Sequence, residues 1–285
     1  MTRSALTAGL GAMLALVTIA CGGTSPQATS SSPPFKTITA GTLTIATYGS
    51  APPLITVGPG PNDIGGLSGG WAKAFGDEYG LKIQLFQTTF ASSLLAVEQG
   101  KADVGAPVYY NSDRAKKYYY TYPVDVEALV VFTKKDFSYN GPSSLKGHKV
   151  ATVTGYVWTP YFQKFFGSDL RLYSAASDAK TAFMNGQVEA YLDADINYFS
   201  APLNLSPQLS LHTVSAGDFG IPGDIIANQS YWIVNCSEKD LAKAMDKTRD
   251  KLESNGKWKT IVDQDGAPQG TPQQTPKLTI PANLC

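Results

Sequence analysis

From residue 42 onward, short β-rich runs alternate with stretches of helical periodicity. "TLTIAT" (42–47) predicts a strand, "SGGWAKAFGDEYG" (68–80) a helix closed by Gly80, and "LKIQLFQ" (81–87) a strand. "FASSLLAVEQG" (90–100) predicts a helix closed by Gly100, and "ADVGAP" (102–107) a strand. "SDRAKKYY" (112–119) predicts a short helix capped by Ser112 or Asn111, and "EALVVFTKK" (127–135) a long apolar strand. Turn formers in "DFSYNGPSSLKG" (136–147) close this series, and the rhythm restarts with a strand at 148–153 and a helix at 158–167. A strand at 170–174, a helix at 177–186, a strand at 187–195 and a helix at 196–203 follow. A further strand lies within 224–235, then a long amphipathic helix begins at Ser237, with Asp240 at capping-box-like spacing. Strands alternating with crossover helices predict an α/β architecture with a parallel sheet, and the restart predicts a second lobe.

Before this pattern the chain reads differently. One cation, Arg3, precedes an apolar run from Ala5 to Ala20 without a charge, and then Cys21. That is the layout of a secretory signal over 1–20, and the run is too short for a membrane-spanning helix. The polar Ser/Pro/Thr segment at 21–40 buries little apolar surface and reads as a tether. Cys21 directly after the small Ala20 resembles the lipobox of bacterial lipoproteins, although Thr18 stands where Leu is usual. The expectation is a lipidated, extracytoplasmic protein, in the periplasm or on the cell surface, held at the membrane through Cys21.

Export permits disulfides, and the remaining two cysteines, Cys236 and Cys285, are most simply partners that pin the Pro/Gln-rich tail to the body. Only His148 and His212 accompany the cysteines, so no metal site is expected. The 23 Lys and Arg balance the 23 Asp and Glu, and loss of residues 1–20 removes only the cation Arg3. No basic run or basic helix face is present, which argues against nucleic acid as a partner.

The order of "GTLTIATYGSAPPL", "FASSLLAVEQGKADV", "NSDRAKKYYYTYP", "SLKGHKVATVTG", "GQVEAYLDAD" and "DLAKAMDKTRDKLESNGKWKTI" resembles the family 3 extracellular solute-binding proteins of ABC transporters, from 41 to about 265. The resemblance implies a two-lobed periplasmic-binding-protein fold of type II, with the ligand cleft between lobes. Lobe 1 would comprise 41–133 and 230–285, and lobe 2 would be 134–229. The crossings would lie near 133–136 and 226–230. It also implies a monomer without a cofactor, which captures a small solute and delivers it to an ABC permease.

In that family an arginine holds the ligand's α-carboxylate, and Arg114 in "NSDRAKK" matches it. A guanidinium offers a planar pair of donors to a carboxylate, and the surrounding tyrosines lower the local dielectric. A surface salt bridge to Asp113 or Asp125 is the structural alternative. Phe90 and Tyr48 match aromatic positions at the ligand, and Tyr109 stands where the family often has Ser or Gly. Gly155, Tyr156 and Trp158 occupy the lobe 2 loop, where hydroxyl residues are usual. Ala194 aligns with the family's amine-binding carboxylate and is flanked by Asp193 and Asp195, one of which faces the cleft. These departures favour a ligand with an aromatic or apolar body, or a quaternary amine.

"GLSGG" (66–70) matches the hydrolase pattern G-x-S-x-G, but a loop sequence precedes it and His212 lies in a strand-like "LSLHTVS", so no catalytic role is assigned. Within the fold, a dehydratase of the cyclohexadienyl type using Glu189, Asp193 or Asp195 is the enzymatic alternative, and a solute sensor is the signalling one.

Overall fold

The computed structural model describes residues 33–199, 203, 206–226, 229–264 and 283–285. The expected signal segment and Cys21 lie outside these residues. Part of the expected tether does not: Phe35 is buried, with its ring 5.3 Å from Phe75 and 5.0 Å from Tyr79, and Ile38 N–H donates to Asp103 at 2.7 Å. Residues 33–40 are therefore docked on the body, because "PPFKTI" carries the Phe35 ring, which the Ser/Pro-rich composition masked, while the exposed Ile38 is held through its backbone.

The chain enters β1 (Thr42–Thr47), an almost continuously buried strand, as expected where both faces are covered. A two-stranded ribbon of β2 (Thr56–Val57) and β3 (Ile64–Gly65) leads into α1 (Gly66–Tyr79). Gly66 has φ +74°, and a Cβ there would meet Pro53 O at 2.6 Å, so only glycine fits this entry. Gly80 caps α1 in the left-handed conformation. Then come β4 (Lys82–Gln87), α2 (Phe90–Glu98), capped by Thr89, and β5 (Val104–Tyr109).

Asn111, rather than Ser112, caps α3 (Ser112–Ala115) by accepting from Arg114 N–H at 2.7 Å. The helix expected to run on through 119 stops there. A nine-residue strand, β6 (Tyr118–Val126), replaces its end, in keeping with the strand preference of "YYYTYPVDV". The next strand, β7 (Leu129–Lys134), belongs to a different sheet, so the chain passes from one lobe to the other at Glu127–Ala128 and not near 133–136. The two apolar runs that flank this point read as strand in either lobe, and only pairing decides their membership.

The second series is β8 (Val150–Val153), α4 (Thr159–Phe166), β9 (Leu170–Tyr173), α5 (Ala176–Met184), β10 (Ala190–Ala194) and β11 (Leu209–Thr213). A 3-10 turn, Asp195–Phe199, stands where the start of a helix was expected. The expected strand within 224–235 begins later: Gly223–Ile226 form a helical turn, α6, and β12 (Gln229–Asn235) carries the chain back to the first sheet. The amphipathic helix α7 (Lys239–Ser254) starts after a 3-10 turn in which Asn235, not Ser237, caps by accepting from Ser237 N–H. The last helix is α8 (Lys257–Gln264).

Two five-stranded sheets result. The first has the order β4-β1-β5-β12-β6 and the second β11-β7-β10-β8-β9. β1 runs parallel to β4 and β5, and β8 parallel to β9 and β10, whereas β12 and β7 pair antiparallel with their neighbours. The sheets are therefore mixed, because the strands next to each crossing reverse direction. Trp71, Trp258 and the fully buried Arg249 anchor α1, α8 and α7 together, with the guanidinium carbon 3.3 Å from the Trp258 ring centre. Cys236 and Cys285 form a disulfide, and Asn283 accepts from Tyr120 N–H at 3.1 Å, which fixes the end of the chain against β6.

Candidate functional site

A cavity of about 40 Å³ lies where the two sheets face one another. Tyr48, Phe90, Tyr109, Arg114 and Ser230 line it from the first lobe, and Tyr156, Trp158, Asp193 and Asn197 from the second, with Glu127 at the crossing between them. Room for one or a few waters remains. A solute larger than that enters only when side chains move or the lobes part.

Five aromatic rings form a chain across the gap. Tyr48 and Phe90 are 5.1 Å apart, Phe90 and Tyr156 4.8 Å, Tyr156 and Trp158 5.3 Å, and Trp158 and Tyr109 5.0 Å, all edge-on. Two of these contacts, Phe90 to Tyr156 and Tyr109 to Trp158, join opposite lobes.

Arg114 sits on α3, directly after the β5 end that carries Tyr109, and the Asn111 cap sets the helix turn that aims its side chain inward. Its Nη1 donates to Tyr109 O at 2.9 Å and its Nη2 to Gly155 O at 2.8 Å, so one guanidinium spans both lobes. Gly155 presents that carbonyl from a backbone with φ +86°, close to Ala91 at the start of α2. The guanidinium carbon lies 5.6 Å from the Phe90 ring centre. Among the described residues no carboxylate lies within ion-pair distance of Arg114. Asp113 pairs with Lys116 at 2.8 Å, and Asp125 accepts from Val126 N–H at 2.6 Å, so neither forms the alternative salt bridge. Burial lowers the Arg114 pKa.

Asp193 and Asp195 part company. Asp193, near the end of β10, lines the cavity, accepts from Ala194 N–H at 2.7 Å, and is hydrogen-bonded by the Tyr191 hydroxyl. Burial pushes its pKa up to about 6, held back by Tyr191, the Ala194 amide and Lys180. Asp195 lies outside the lining: it begins the 3-10 turn, and its carboxylate accepts from Ala128 N–H at 3.0 Å. Glu189 is exposed in the bend before β10, outside the cavity lining, and accepts from Lys149 N–H at 2.8 Å, which removes it as a cleft acid. Ser68 of "GLSGG" is fully buried in the first turn of α1 and its hydroxyl has no hydrogen-bond partner, so it is not a nucleophile held by a base.

Glu127 is the acid that the sequence reading passed over. It is 5% exposed, its Oε2 accepts from the Tyr109 hydroxyl at 2.9 Å, and its Oε1 is buried without a hydrogen-bond partner. Burial, then the neighbouring Asp125 carboxylate, raise its pKa well above the ordinary range, and burial brings Asp125 to about 7. The signal in the sequence was the acid pair in "PVDVEALVV", two charges inside an otherwise apolar stretch. Asn197 and Ser230 were also missed, and small polar residues of this kind carry no distinctive pattern. No group of three side chains suited to a metal forms among the described residues.

Solved structures share the fold. A structure of the amino acid ABC transporter substrate-binding protein AbpA from Streptococcus pneumoniae, bound to L-arginine, is 23% identical with TM-score 0.66, covering 79% of this chain and 94% of that one. One concerned with glutathione import through GshT and the cystine ABC importer TcyBC of Streptococcus mutans is 22% identical with TM-score 0.67, covering 79% and 95%. A histidine kinase sensor domain similar to periplasmic binding proteins is 18% identical with TM-score 0.68, covering 82% and 98%. At these identities the likeness establishes the two-lobed fold. No curated protein sequence matches. The family profile of bacterial extracellular solute-binding proteins, family 3, matches residues 43–264, most of the chain. The protein therefore belongs to the bacterial extracellular solute-binding proteins of family 3.

Proposed function

We propose that the chain is an extracytoplasmic binding protein that closes its two lobes over a small carboxylate-bearing solute, an amino acid or a related compound, and delivers it to an ABC permease. Lipidation at Cys21 would hold it at the membrane. The observation that carries the reading is Arg114: a largely buried guanidinium in the cleft, without a carboxylate partner, whose fork is held by one backbone carbonyl from each lobe. A ligand carboxylate replaces neutral acceptors with a charged one, which strengthens these bonds and ties the lobes together through the ligand. The names of the structural neighbours, an amino acid transporter protein bound to L-arginine and a glutathione and cystine importer system, support this class of solute.

The rings of Tyr48, Phe90, Tyr109, Tyr156 and Trp158 supply apolar walls, and Asp193 supplies an acceptor for an ammonium group. Gly155 and Tyr156 bring the second lobe to the ligand, whereas Asp195 braces the crossing. No step in this action needs a cofactor or a bond-breaking residue.

The resemblance in fold to a histidine kinase sensor domain supports a second reading, in which the captured solute is reported to a membrane partner rather than transported. Genes for a permease and an ATPase beside this one would favour transport.

A thermal-shift screen of the full-length protein over amino acids, amines and aromatic acids tests the binding reading. At least one carboxylate-bearing solute raises the melting temperature, by about 2.7 kcal/mol of stabilisation at a concentration of roughly 100 times Kd. The shift disappears in Arg114→Ala. If no such solute stabilises the protein, the reading fails.

A further inference from the structure

We propose that Glu127 selects the solute by receiving a second cationic group, so that the preferred ligand is a basic amino acid whose carboxylate is held by Arg114. This rests on the solute-binding reading above and adds a residue that the resemblance did not supply.

The argument starts from where charge is compensated and where it is not. Asp193 has Lys180 behind it, whose charge favours the ionised carboxylate. The acids at the crossing have no such partner. Asp195 raises the pKa of both Asp125 and Glu127, Asp125 raises that of Glu127 further, and no cation is among the groups that act on any of the three. Asp125 is tied to Val126 N–H and Asp195 to Ala128 N–H, and neither lines the cavity. Glu127 does line it, with one oxygen on the Tyr109 hydroxyl and the other buried beside the Ser230 hydroxyl, with no charged partner. It is the carboxyl of the three that a solute can reach.

The remaining surroundings suit a cation. The Tyr109 ring that bonds Glu127 packs 5.0 Å from Trp158, so an aromatic wall adjoins the carboxyl, and aromatic faces attract positive charge. The groups around Glu127 are Tyr109 from β5, Asp125 from β6, Ser230 from β12 and Asp195 after β10; Asp193 and Arg114 also line the cavity. Within this set Arg114 is the sole cation, and it is bonded to Tyr109 O and Gly155 O.

Burial, then the neighbouring Asp125 carboxylate, raise the Glu127 pKa, which favours the protonated carboxyl before a cation arrives. Arrival of a guanidinium or primary ammonium group changes the balance: the Glu127 O–H bond breaks, the proton passes to water and then to buffer, and the carboxylate keeps the electron pair and faces the cation. A neutral amino acid leaves the proton in place. Capture of a basic amino acid is therefore coupled to release of one proton, and capture of a neutral one is not.

Calorimetry of the full-length protein with L-arginine, L-lysine and L-glutamine tests this, in phosphate and in Tris at about pH 7. Arginine or lysine binds more tightly than glutamine, with a heat that differs between buffers by about one proton per ligand. The glutamine heat does not depend on buffer. Glu127→Gln loses the buffer dependence and weakens the basic ligand at least about 30-fold more than it weakens glutamine. Four results overturn the proposal: basic ligands binding no tighter than glutamine, no proton release, an unchanged preference in Glu127→Gln, or equal loss of both ligand classes. If glutamine binds and the basic ligands do not, the solute-binding reading stands and this inference falls. If nothing binds while the protein is folded, both fall.

Discussion

Arg114→Ala separates the role of this residue in binding from any role in holding the fold. The guanidinium makes two hydrogen bonds to neutral carbonyls, Tyr109 O and Gly155 O, and lies 5.6 Å from the Phe90 ring. Such bonds contribute roughly 0.5–1.5 kcal/mol each, and the ring contact about 1 kcal/mol. Against this stands the cost of keeping an unpaired charge largely out of water, which truncation removes. These effects oppose one another, so the stability of the empty protein changes by no more than about 2 kcal/mol. With ligand bound the balance is different. The guanidinium then faces a carboxylate in a closed cavity, and removing one partner of a buried ion pair costs roughly 3–5 kcal/mol. Affinity for a carboxylate-bearing solute therefore falls by at least about 100-fold. Arg114→Lys keeps the charge but not the planar fork, and falls between the two. Titration calorimetry together with urea denaturation reads both quantities. Unchanged affinity in a folded Arg114→Ala protein refutes the assignment, and loss of folding without ligand shows that the residue is a structural strut.

Three further outcomes follow from packing, titration and covalent structure. Trp158 is 3% exposed and touches rings from both lobes, so Trp158→Ala costs about 3–5 kcal/mol in urea denaturation, and a cost under about 1 kcal/mol contradicts the packing described. Burial raises Asp125 and Asp246 to about 7 and Asp193 to about 6, so the folded state holds protons that the unfolded chain releases from about pH 4 upward. The stabilisation these protons give is present at low pH and lost as pH rises through about 7. Urea midpoints measured at pH 5 and pH 8 show the lower stability at pH 8, and Asp246→Asn reduces the difference; equal midpoints contradict the burial. Cys236 and Cys285 are 49 residues apart, so Cys236→Ser lowers stability by up to about 4 kcal/mol in the chain-entropy account, and an unaltered midpoint shows that the tail adds nothing to the fold.

Arg114 lines the cavity, and in the sequence it stands out as the one arginine of "PVYYNSDRAKKYYYTYP", shortly after the helix-capping Asn111. The order of strands and helices was legible, since period and punctuation are local. What pairing decides was not. The resemblance implies a crossing near 133–136, whereas hydrogen bonding assigns Leu129–Lys134 to the second sheet and leaves Glu127 in the gap. That error hid Glu127, which looked like the polar start of a strand. Strand period puts residues two apart on one face, so it gave no ground for expecting only one of Asp193 and Asp195 to face the cleft. β10 ends at Ala194, and the turn that follows takes Asp195 to the Ala128 amide. Phe35 was overlooked because the composition of its neighbours describes a tether, while one aromatic ring suffices to dock it.

The most direct measurement is a crystal structure of the protein with its tightest-binding solute. The account predicts that the solute lies between the two sheets, with its carboxylate about 3 Å from the Arg114 guanidinium nitrogens and its body against Phe90, Tyr156 and Trp158. A solute bound outside this cavity, or a carboxylate held elsewhere while Arg114 still bonds only Tyr109 O and Gly155 O, contradicts it.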